Sequence, residues 1–102
     1  MAQHDDRQSC GDGDRRYRLL VSGPAVKALT SGLPEKVATA VYEFITGALL
    51  DNPHRVGRPL DPPLAPAYSA RRGTYRVIYL IDDERCYVEV TAVRHRADAY
   101  HT

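Results

Sequence analysis

The sequence contains no apolar run approaching the length of a membrane span. Its first stretch also lacks the apolar core of a secretory signal. A cytoplasmic protein with no membrane partner is therefore expected. Cysteine is scarce: Cys10 lies in a polar stretch and Cys86 in an apolar one, with no CxxC and no Cys/His spacing that suits zinc. The plain expectation is an idle Cys10 and a buried, reduced Cys86. No Asp/Glu/His cluster has ligand spacing either, so neither a metal nor another cofactor is expected. Net charge is only +1, which excludes a polycation that holds nucleic acid by bulk charge. Lysine disappears after Lys36, and every later base is arginine.

Those arginines are not evenly spread. Between Asn52 and Ile81 the bases are Arg55, Arg58, Arg71, Arg72 and Arg76, and the only acid is Asp61. Arginine presents a planar fork that pairs bidentately with phosphate oxygens and stacks on bases. The plainer alternative is a solvated basic face.

A chain of 102 residues fits one domain. Residues 1–16 are polar and glycine-containing, with almost nothing to bury, and read as a disordered tail; residues 17–102 read as the domain. Tyr17–Val21 has strand propensity. Ser22 and Pro24 then mark a helix start, with Ser22 as cap, and that short helix ends near Gly32. Pro34 opens a longer helix. Val37, Ala40, Val41, Phe44, Ile45, Ala48 and Leu49 follow its i, i+3, i+4, i+7 spacing and form one apolar stripe. Asn52-Pro53 stops it.

Five of the seven prolines lie in residues 51–66, which reads as a long, stiff, extended connection. Three strands follow: Ala67–Arg71, Thr74–Ile81 and Arg85–Val93. Gly73 marks the first turn and Asp82-Asp83-Glu84 the second. The order strand, helix, helix, three strands predicts an α+β fold, an antiparallel sheet with two N-terminal helices on one face.

Two segments carry chemistry. In Ser69-Ala70-Arg71-Arg72-Gly73-Thr74-Tyr75-Arg76, three arginines surround one tight turn, and Arg76 stands in an otherwise apolar strand. A charge there needs water or a partner. In Arg94-His95-Arg96-Ala97-Asp98-Ala99-Tyr100-His101, two arginines, two histidines and a tyrosine crowd the end of the last strand. Such side chains suit RNA cleavage without metal. A base takes the 2′-OH proton, cations stabilise charge growing on phosphate, and an acid protonates the leaving oxygen. A tyrosine base needs arginines nearby, because its ordinary pKa is about 10.

The run from Arg71 to Tyr79, followed by Ile81-Asp82-Asp83-Glu84, resembles the central signature of the RelE/ParE toxin superfamily. Asn52-Pro53-His54-Arg55-Val56-Gly57-Arg58-Pro59-Leu60 resembles the loop after its second helix, and Arg94 to Tyr100 its closing motif. The pieces stand in the right order, and the likeness is greatest to actinobacterial members of the RelE branch. The resemblance implies a type II toxin with the βααβββ RelE-like fold, an endoribonuclease that cleaves mRNA in the ribosomal A site and leaves a 2′,3′-cyclic phosphate. Its implied partners are a RelB-like antitoxin, mRNA, and the ribosome with its rRNA.

Residue by residue, the resemblance gives Arg76 and Arg94 to the transition-state phosphate and Tyr100 to the general base. Arg71, Arg72, Arg55, Arg58 and Arg96 are then expected to bind RNA. The best-studied members carry lysines on the strand before the turn, where this chain has Ser69 and Arg71. The acid is therefore open between His95, His101 and an arginine, and arginine is a poor proton donor. The competing readings are a ParE-like gyrase poison and a catalytically inactive RNA- or antitoxin-binding domain.

One geometric requirement follows from counting. Arg76 and Arg94 can share a phosphate only if they lie on one face of the sheet. A two-residue turn at Asp83-Glu84 separates them. A three-residue loop, Asp82-Asp83-Glu84, unites them, and so does a bulge that resets the alternation.

Overall fold

The computed structural model describes residues 16–95. Strand β1 (Arg18–Val21) leads into helix α1 (Gly23–Lys27), which widens into a π-helical turn (Ala28–Gly32). Ser22 caps α1 as expected, its hydroxyl accepting from the Ala25 amide, with Pro24 in the first turn. Helix α2 (Glu35–Phe44) begins after Pro34 and also ends in a π-helical stretch (Ile45–Leu49). Asn52-Pro53 stops it, but Pro53 at once opens a one-turn helix, α3 (Pro53–Val56). Four strands complete the described residues: β2 (Arg58–Pro59), β3 (Tyr68–Arg72), β4 (Tyr75–Asp82) and β5 (Tyr87–His95).

The strands form one sheet in the order β1-β5-β4-β3-β2. β2 to β5 pair antiparallel, whereas β1 runs parallel to β5. The sheet is therefore mixed, not wholly antiparallel as the order of elements suggested. The reason is chain direction: the two helices between β1 and the meander return the chain to the far side of the sheet, so the first strand lies along the last.

Alternation along the strands divides the sheet into two faces. Tyr75, Val77 and Tyr79 of β4, with Val88, Val90 and Val93 of β5, face the helices. They pack with Val41, Phe44, Ile45 and Leu49 of the second helix. The predicted apolar stripe is confirmed, apart from Ala40, which is exposed. Among the described residues, the helices pack on this one face.

Three local readings are corrected. Residues 51–66 are not an extended connection. α3, β2 and a tight turn, in which Leu64 and Ala65 donate to the Asp61 carbonyl, fold that segment onto the sheet. Cys86 is not a reduced core residue. It lies in the β4–β5 loop at φ 57, half-buried and disulfide-bonded. Arg16, expected in the tail, hydrogen-bonds the carbonyls of Thr46 and Gly47 and pairs with Asp51. The rest of that expected tail, including Cys10, lies outside the described residues.

Candidate functional site

The face of the sheet away from the described helices is where the arginines collect. Gly73, at φ 60, makes the two-residue turn that pairs Arg72 with Tyr75 and Arg71 with Arg76. On the other side of β4, Arg76 pairs directly with Arg94. Arg71, Arg76 and Arg94 thus form a cross-strand row over three adjacent strands, and all three are exposed. Arg58 on β2 pairs with Ser69, two residues before Arg71, and so extends the patch along the same face.

Directly opposed side chains in a sheet have Cβ atoms roughly 4.5–5.5 Å apart, and like charges at that range repel. Among the described residues the carboxylates that meet a basic side chain are Asp51, at Arg16, and Asp83, at the His54 imidazole, and neither contact touches the row. The acids of this face, Asp82 and Glu89, pair with Tyr87 and Leu80 toward the other end of β4. The row therefore concentrates positive charge that no acid among the described residues pairs with.

The register achieves this by the second route, the bulge. Asp82 pairs with Tyr87, so the loop is Asp83-Glu84-Arg85-Cys86, four residues and not three. An even loop alone puts Arg76 opposite Val93 and turns Arg94 to the helix face. The register then shifts between Ile78, which pairs with Ala92, and Tyr79, which pairs with Val90. Thr91 is the extra residue, and from there onward the faces exchange. The Thr91 hydroxyl donates to the Ile78 carbonyl, and the Ser22 hydroxyl donates to the Thr91 carbonyl. The bulge is thus held by side chains that satisfy its loosened backbone.

The other predicted site residues separate. Arg72 lies on the helix face, its guanidinium 4.9 Å from the centre of the Phe44 ring. It is exposed there and within cation–π range of that ring. Tyr75 meets the same ring edge-on at 6.4 Å. Burial raises the Tyr75 pKa, and the Arg72 charge opposes the rise. His95 pairs with Tyr75 and so stands on the helix face, away from Arg76 and Arg94. Arg55 is exposed on α3, off the sheet. Arg96, Tyr100 and His101 lie outside the described residues. No group of three metal-ligating side chains occurs among the described residues, and none of the described helices is long and apolar enough to cross a membrane.

A second cluster escaped the sequence reading. His54 Nε2 lies 2.9 and 3.0 Å from the two Asp83 carboxylate oxygens, and its Nδ1 lies 3.2 Å from the Tyr68 hydroxyl. The Tyr17 hydroxyl donates to the same carboxylate. Burial alone pushes the Asp83 pKa up, but the bonds from Tyr17 and His54 outweigh it and hold the carboxyl below its ordinary value. Tyr68 stacks on Tyr79 at 5.7 Å, and the buried Tyr79 hydroxyl donates to the Pro53 carbonyl at 2.6 Å. Desolvation drives the Tyr79 pKa well above its usual value. The residues were visible in the sequence, but nothing in their spacing joins positions 17, 54, 68 and 83.

Comparison with known proteins fits this geometry. Residues 28–100 match the ParE toxins of type II toxin–antitoxin systems. The chain is 45% identical to Toxin RelE of Mycobacterium tuberculosis over 87 residues, 85% of this chain and 89% of that one. It is 53% identical to Toxin RelG of the same organism over 68 residues, 67% and 78% of the two chains. The chain is a RelE-type toxin of the RelE/ParE superfamily. The fold agrees. A chain of the RelBE2 toxin–antitoxin complex from M. tuberculosis superposes with a TM-score of 0.77 at 44% identity, over 79% of this chain and 99% of that one. One from the archaeal RelE–RelB complex of Pyrococcus horikoshii gives 0.61 at 25% identity, over 78% and 94%. The RelE branch is thus set by the curated relatives, while the family match spans the superfamily.

Proposed function

We propose that this RelE-type toxin is an endoribonuclease that cleaves mRNA on the ribosome, without a metal, on the sheet face that carries the arginine row. The observation that carries the reading is the row Arg71–Arg76–Arg94, three exposed guanidinium groups opposed across adjacent strands with no carboxylate partner among the described residues. Such a row is costly in the free protein and favourable against a polyanion. In the proposed reaction the 2′-oxygen attacks the adjacent phosphorus. The P–O5′ bond breaks, leaving a 2′,3′-cyclic phosphate and a 5′-hydroxyl.

Arg76 and Arg94 stabilise the charge that develops on the phosphate oxygens. Arg71, Arg58 and Arg96 bind flanking phosphates, with Arg55 further out. Tyr100 takes the 2′-OH proton, following the family resemblance. Because His95 stands on the helix face, His101 is the better acid for the leaving oxygen. The partner that silences the toxin is a RelB-like antitoxin, as in the RelE–RelB complexes that share the fold.

The test is to add purified protein to translation of a reporter mRNA and map its ends by primer extension. New ends that require both protein and translation are expected. The match to toxins named ParE favours one competing reading, gyrase poisoning. It predicts intact mRNA and cleaved or unsupercoiled DNA in a gyrase assay. Binding of RNA without new ends identifies the inactive binding domain.

A further inference from the structure

The His54 cluster sits at the end of the sheet away from the arginine row, with His54 four residues before Arg58 in the chain, and has no part in the chemistry above. Its geometry converges on α3. From outside, the imidazole bonds Asp83 of the β4–β5 loop and Tyr68 of β3, and it meets the Tyr68 ring edge-on at 5.6 Å. From beneath, the Tyr79 hydroxyl holds the Pro53 carbonyl. At the end of the turn, Gly57 is packed so closely that an added Cβ falls 2.2 Å from the Tyr79 hydroxyl and 2.9 Å from the Ser69 carbonyl. The next residue is Arg58, whose strand has only two residues and cannot hold its own place.

We infer that His54 is a positioning residue for RNA. By tying α3 to Asp83 and Tyr68, it fixes where β2 begins and so where Arg58 stands beside the arginine row. The inference rests on the proposed RNA-cleaving reading. It adds a residue that touches no substrate and acts through Arg58. In neutral His54 one nitrogen donates to the Asp83 carboxylate while the other accepts from the Tyr68 hydroxyl. A Gln side chain can retain the first bond, and Ala retains neither.

The test measures mRNA cleavage during translation for the full chain, for Arg58→Ala, His54→Ala, His54→Gln and the Arg58→Ala/His54→Ala pair, each checked for a cooperative thermal transition. Arg58→Ala should raise KM several-fold with little change in kcat. His54→Ala should do the same, and His54→Gln should recover most of the loss. The double variant should be no worse than Arg58→Ala, because His54 then has nothing left to position. Multiplying losses in the double variant, or a fall in kcat with KM unchanged, overturns the inference and leaves the RNA-cleaving reading intact. An unchanged KM in Arg58→Ala removes that arginine from RNA contact and overturns the inference too. A wild-type protein that cuts nothing overturns both.

Discussion

At the scale of the residue, function and stability pull against each other at the arginine row. Arg76 faces Arg71 on one side and Arg94 on the other. Substituting it with Ala relieves two like-charge contacts, so the thermal midpoint should stay level or rise. Cleavage should fall on the order of 100-fold or more, the usual cost of removing a preorganised donor at a developing oxyanion. A melting curve and a cleavage time course on the same preparation check both halves. Tyr79 behaves in the opposite way. Its hydroxyl is buried against the Pro53 carbonyl, so Tyr79→Phe should destabilise by about 1–2 kcal/mol in urea unfolding. Gly57→Ala should destabilise more, because a Cβ there collides with that hydroxyl and the Ser69 carbonyl; adding Tyr79→Phe should relieve part of the cost.

At the scale of the element, the bulge at Thr91 decides which face carries Arg94. Deleting Thr91 makes β5 regular but leaves Arg94 opposite Arg76, so cleavage should survive within about 10-fold. Inserting one Ala after Val93 sends Arg94 to the helix face and should abolish cleavage. Comparable activity in the two variants contradicts the register account. The bulge had a trace in the sequence. Val88 and Val90 occupy even positions and Val93 an odd one, and all three are buried; a period-2 pattern that changes parity needs an extra residue. Much else was legible for the same local reasons. Ser22, Pro24 and Pro34 act within one turn of chain, the stripe from Val37 to Leu49 has a single period, and Gly73 marks its turn alone.

The parallel pairing of β1 with β5, and the division of Arg71 from Arg72 by face, depend on neighbours far along the chain. So does the cluster around Asp83. That cluster also gives the β4–β5 loop a pH dependence. The native Asp83 carboxyl lies below its unfolded value of about 3.9, so its contribution is present above that pH and is lost as pH falls through the native value. Asp83→Asn should therefore lower the melting temperature at pH 7, and the gap from wild type should close below about pH 4.

At the scale of the whole molecule, the described helices cover one face of a mixed sheet, and the arginine row lies on the other. Between the covered face and the second helix lie Tyr79, Ile45, Leu49 and Val41, all fully buried, so Ile45→Ala should cost roughly 2–5 kcal/mol of stability. The other face carries at one end charge that a net of +1 conceals. The central claim is that Arg76 and Arg94 act on the same phosphate. A double-variant cycle on the single-turnover cleavage rate tests it most directly. Each alanine substitution alone should slow cleavage on the order of 100-fold, and the pair should lose far less than the product of the two, as groups acting as a unit do. Strictly multiplying losses, or a double variant that cuts at the wild-type rate, would contradict it.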